Sequence, residues 1–152
     1  MDRILTFYTL QLAASGYACW RGGAPERLTG LALLIAAIAT TVLPPTVPEW
    51  YAGVEVQILV VDLALLGALL AITLFADRYW TVWATALHAL GTGSHVARAL
   101  SSDVVGLAYA MLTAAWSYPI LLLLVVGTIR HSRRIRSKGW DLDWSRQDPT
   151  VR

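Results

Sequence analysis

Charge is what this chain has least of. Asp, Glu, Lys and Arg make up 14% of its 152 residues, against 57% hydrophobic residues, and its mean hydropathy is +0.56. A water-soluble domain of this size carries about 25% charged residues to cover its surface, so a soluble globular domain is excluded as the expectation and lipid takes the place of the missing polar surface. Cysteine is nearly absent. Cys19 stands alone, so no intramolecular disulfide can form, and it reads as a small apolar filler beside Trp20. Lysine is reduced to Lys138 alone, beside eleven arginines. No Gly-rich phosphate loop, metal-ligand spacing or nucleophile–base pair is present, which leaves no catalytic, cofactor-binding or metal-binding residue to name. No basic stretch interleaved with aromatics suggests nucleic acid. The sequence speaks about architecture and buried polar chemistry, not about a reaction.

What is present is five apolar runs, roughly 4–20, 28–43, 56–76, 79–100 and 104–129. Three of them approach or exceed the ~20 residues that cross a hydrocarbon core. The fold predicted is an all-α integral membrane helical bundle of about five transmembrane helices, with four plus one interfacial helix as the alternative. Residues 1–129 form the transmembrane domain. Residues 130–152 form a tail, first basic and then aromatic and acidic. The weak n-region Met1-Asp2-Arg3 and the poor cleavage site at Ala18-Cys19-Trp20 favour an uncleaved first helix.

The punctuation between runs is clear. Gly22-Gly23 is expected to end the first helix with a glycine cap, and Pro25 suits the first turn of the second. Pro44-Pro45 stops that helix. Trp50 and Tyr51 place the following connection at headgroup level. Asp77-Arg78 makes a tight hairpin between the third and fourth runs, and Pro119 is expected to kink the fifth from within.

Ten of the twelve basic residues fall in the Arg21–Arg27 connection, at Arg78 and from Arg130 onward, leaving Arg3 and Arg98. Five crossings put all ten on one side. The positive-inside rule then places the N-terminus outside and the C-terminus in the cytoplasm. The expected location is a bacterial inner (cytoplasmic) membrane. The chain resembles small polytopic proteins of such membranes, a likeness that brings over no functional residue.

The fourth run holds the most polar pattern. Thr81, Thr85, His88, Thr92, His95 and Ser102 recur at three-, four- and seven-residue steps, which puts them on one helical stripe. Ala89, Gly93 and Ala97 form a small-residue ladder expected to allow close helix packing. Asp62 is the one carboxylate deep inside an apolar run, at nearly the depth of His95. A cluster of Asp62, His88, His95 and Arg98, with Glu55 above it, is therefore the candidate polar site. It is either a clasp joining the third and fourth helices or a proton relay. His88 and His95 lie ~10.5 Å apart along one helix, too far to share a metal ion.

Arg130, Arg133, Arg134, Arg136 and Lys138 are the candidate contacts to anionic lipid. The alternating 140–144 segment reads as an interfacial anchor or a docking peptide. The partners expected are the lipid bilayer, anionic lipids at the tail, and a second copy of the chain or a larger membrane complex. The function expected is that of a non-enzymatic accessory or structural subunit. A proton, ion or small-solute channel or transporter lined by the fourth-helix stripe is the alternative.

Overall fold

The computed structural model describes residues 2–42, 56–100 and 116–144, with side chains at 4–42, 56–95 and 116–144. Those residues form five helices and no strand: α1 (Asp2–Arg21), α2 (Ala24–Val42), α3 (Val56–Phe75), α4 (Tyr79–Leu100) and α5 (Ser117–Lys138). At 1.5 Å per residue each is about 30 Å long. Two of them, α2 and α3, are long and apolar enough to cross a membrane by length and composition. The others fall short because their polar residues dilute the average. Gln11 and Ser15 lie in α1, the threonine–histidine stripe in α4, and a basic final stretch in α5.

Each helix packs on its chain neighbour, and α5 closes the ring against both α4 and α1. Phe7 and Tyr118 meet edge to face at 5.4 Å at one end of the α1–α5 seam. At the other end the Ser132 hydroxyl donates to the Arg21 carbonyl at 3.0 Å. These contacts make α1 and α5 parallel. The end of the bundle that holds Arg21 therefore also collects the α1–α2 connection, the α3–α4 turn and the C-terminus of α5.

The interior mixes polar and apolar side chains in nearly equal number. Among the described residues eleven polar or charged side chains are buried, among them Gln11, Glu26, Arg78 and His131, against ten apolar ones. Alongside the buried Leu69 and Leu124, every helix also turns large aliphatics outward: Leu12, Ile35, Ile38, Leu74, Leu90 and Leu122 are all more than half exposed. Helices pack closely where side chains are small. A Cβ on Gly30 would stand 3.3 Å from the Ser15 carbonyl and 3.4 Å from the Ala18 methyl, so α1 and α2 approach almost backbone to backbone there. Gln11 reinforces that pair by donating from Nε2 to the Leu33 carbonyl at 2.7 Å.

Several local expectations change. Neither Gly22 nor Gly23 has a positive φ; Gly139 alone among the described glycines does, at 77°, and it caps α5 by donating to Ile135 at 2.9 Å. Gly22-Gly23 serves space rather than backbone handedness. Pro119 stands in the first turn of α5, where its missing N–H costs nothing, instead of kinking a helix interior. Gly93 faces open space, with no atom within 4 Å of a Cβ built on it, and Ala89 is exposed. The ladder on α4 therefore does not mediate packing at those two positions. Ala97, Ser102, the 44–53 connection and the first half of the fifth run lie outside the described side chains.

Candidate functional site

Two polar centres are built between the helices. The first joins α3 to α4. His95, almost fully buried, donates from Nε2 to the Asp62 carboxylate at 3.0 Å. His88, two turns earlier on the same stripe, donates from Nε2 to the Asp62 backbone carbonyl at 2.9 Å. Nearer the hairpin, the Thr73 and Thr85 hydroxyls share a hydrogen bond of 2.8 Å. The remaining hydroxyls turn back onto their own helix: Thr92 donates to the His88 carbonyl, Ser94 to Gly91 and Thr81 to Arg78. The stripe thus works as a zip whose teeth are held on both sides. Arg98 falls within α4, but its side chain and all of Glu55 lie outside the described residues.

The second centre sits at the end where the connections converge, and Arg78 is its hub. The guanidinium, 3% exposed, places Nε 3.3 Å from Glu26 Oε1. Its Nη2 is 2.7 Å from Asp141 Oδ2 and 3.5 Å from Asp143 Oδ1. Asp141 is shared further: His131 donates from Nδ1 at 2.7 Å, and Arg134 Nε lies 2.8 Å from the other oxygen. Glu26 is fully buried and satisfied by three donors: the Gly23 backbone N–H at 3.1 Å, Trp80 Nε1 at 3.2 Å and Arg78. The first of these is half of a capping box, with an acid in the first turn of α2 reaching back to the amide that precedes the helix.

Local sequence explains why the hub assembles. Gly23 leaves no side chain where one would overlap Asp143 Oδ1 and stand 2.8 Å from the His131 ring. Gly127 leaves room for the Trp80 indole, whose nitrogen would otherwise be 2.5 Å from a Cβ. The Gly139 cap turns the chain back, so Trp140–Trp144 returns beside the α3–α4 turn. There the Asp77 amide donates to the Asp143 carbonyl at 3.3 Å, and Ala76 pairs with Trp144. The two acids of the alternating segment thus face Arg78 and its neighbours within the chain, while Trp140 stays exposed.

Glu26, His131 and Asp143 bring one ligand atom each within 4.8 Å of one another, a spacing that fits a metal ion. The Arg78 guanidinium already lies against both carboxylates of that trio and supplies the positive charge they need. The trio is better described as an arginine-centred network than as a metal site.

Sequence reasoning passed over this hub. Charge counting marks Arg78 only as a positive charge on one side of a membrane, and no spacing in the sequence pairs it with Glu26, Asp141 or Asp143. One signal was available: Glu26 is an acid placed directly after a proline in an otherwise basic connection. The basic series divides in two. Arg130, Arg134 and Lys138 line a cleft beside the hub, whereas Arg133 and Arg136 do not. Compared with protein-family models, curated proteins and solved structures, the chain finds no match in any of the three.

Proposed function

We propose that this protein is a non-enzymatic, multi-pass structural subunit of a bacterial inner membrane, a five-crossing bundle with its N-terminus outside and its C-terminus in the cytoplasm. The observation that carries this reading is the inverted polarity of the bundle: buried threonine, glutamine, histidine and ion-paired residues, enclosed by exposed leucine, isoleucine and valine. Water would penalise that outer surface, and hydrocarbon would not. In lipid, helices associate through small-residue packing and interhelical hydrogen bonds rather than apolar burial. Gly30 against α1, Gln11 to Leu33 and His95 to Asp62 are contacts of those kinds. The Arg78 hub gathers at the end that holds most of the basic residues, which agrees with a single cytoplasmic face. Exposed Trp20, Tyr79, Trp83 and Trp140 lie on the elements that meet at this same end, as an interfacial aromatic belt requires.

Alkaline phosphatase fusions test the topology. A fusion after Arg152 is expected to be inactive and one in the 44–53 connection active; the reverse pattern overturns the orientation. A second reading, a proton path, draws on the hydrogen bond between buried His95 and half-buried Asp62, and proton flux in liposomes decides between the two.

A further inference from the structure

Between the start of α4 and the last turns of α5 lies a cleft of about 530 Å³, within the ~300–1,000 Å³ range of small-molecule sites. We propose that it is a binding site for the headgroup of an anionic phospholipid, with one acyl chain lying along its apolar wall. The proposal rests on the membrane reading above.

The cleft is amphipathic along its length. Arg130, Arg134 and Lys138 follow one another at four-residue steps, so they form a ladder along one side of α5. One turn deeper on the same helix the lining becomes Val126 and Leu123, and Trp83 faces them from α4. The first turn of α4 adds backbone amides at Tyr79 and Trp80 that have no partner within the helix, the arrangement that favours phosphate oxygens. Trp140 and Leu142 from the returning segment close the outer side. Cationic rim, aromatic middle and aliphatic floor match, in order, the phosphate, glycerol and acyl portions of a lipid.

Charge bookkeeping selects which cations are available. The lining holds Arg78, Arg130, Arg134 and Lys138 against Asp77 and Asp141. Arg78 is spent on Glu26, Asp141 and Asp143, and Arg134 is spent in part on Asp141. Arg130 and Lys138 make no ion pair among the described residues, and both are exposed. They are the surplus charge that a phosphodiester would neutralise. Asp77, exposed at the mouth, sets a preference for a single phosphate over a multiply charged head. Arg133 and Arg136 carry the same charge on the same helix outside the cleft, which supplies an internal control.

The test uses the full-length protein in detergent, titrated with dioleoyl phosphatidylglycerol or dioleoyl phosphatidylcholine and read by native mass spectrometry. Wild type is expected to retain one phosphatidylglycerol in preference to phosphatidylcholine. Near a membrane surface each cation removed weakens binding about fivefold, so R130Q/K138Q is expected to bind about thirtyfold more weakly. R133Q/R136Q is expected to bind as wild type does. Both pairs are exposed, and thermal unfolding of each variant verifies that the fold is intact. Equal loss in the two double variants would make the attraction diffuse and overturn the site, as would equal binding of the two lipids. Displacement of the lipid by excess inorganic phosphate would assign the cleft to a soluble anion and overturn the lipid assignment. Release of the protein from membranes by alkaline carbonate would instead defeat the membrane reading, whatever the titration shows.

Discussion

Glu26 and Arg78, 52 positions apart in the chain, meet at 3.3 Å with side chains 0% and 3% exposed. The pair ties the first turn of α2 to the turn that opens α4, and two acids beyond α5 complete it.

Removing the hub is expected to cost more than removing any surface arginine. Arg78→Met leaves Glu26 buried without its cation and Asp141 with only Arg134 and His131, a loss of about 3–5 kcal/mol. Arg78→Lys recovers only part of it, because one ammonium cannot span three carboxylates as the planar guanidinium does. Thermal unfolding followed by tryptophan fluorescence measures both. A cost below about 1 kcal/mol for Arg78→Met, the level of exposed ion pairs, would show that the hub does not hold the bundle.

Two glycines should respond in opposite directions to the same change. Gly23→Ala drives a methyl into Asp143 and His131 and is expected to destabilise by about 1–3 kcal/mol. Gly93→Ala meets nothing within 4 Å inside a helix and is expected to stabilise by about 0.5–1 kcal/mol. Unfolding midpoints of the two variants in one detergent make the comparison. Equal effects would contradict the crowding at Gly23.

The α3–α4 zip is measurable by a double-mutant cycle. Asp62→Ala and His95→Ala are expected to couple by about 0.6–1.7 kcal/mol, the range for interhelical hydrogen bonds in membranes. A coupling of zero would separate the two residues.

If that zip is structural, reconstituted liposomes carrying an internal pH dye should show no proton flux from wild type or from H88Q/H95Q. Glutamine keeps a donor and an acceptor, so packing survives the change. A leak in wild type that disappears in the variant would assign the stripe to proton conduction.

The α3–α4 contact was open to sequence reasoning because both of its terms are local. The three- and four-residue recurrence set the stripe on α4, and counting residues from the run ends set the depths of Asp62 and His95. The hub was not open in the same way. Its members come from four separate stretches, and neither hydrophobic periodicity nor propensity records which loops share an end of a bundle. Charge counting did gather the three basic regions on one side. It missed that one of those arginines is removed from the surface altogether, since a tally of sign carries no information about burial. The glycines misled for a related reason: composition marks a permissive residue without saying whether it serves φ or space, and at Gly23 the need is space.

The return of Trp140–Trp144 to the bundle also has a meaning in time. Arg78 is synthesised after Glu26 but 63 residues before Asp141. A growing chain therefore contains the arginine and one acid well before the other two. The charged end is closed by the segment that leaves the ribosome last of all the described residues. A chain stopped before Trp140 would hold all five described helices around an arginine with one carboxylate in place of three. The acid made late is thereby joined, through Arg78, to the first turn of α2.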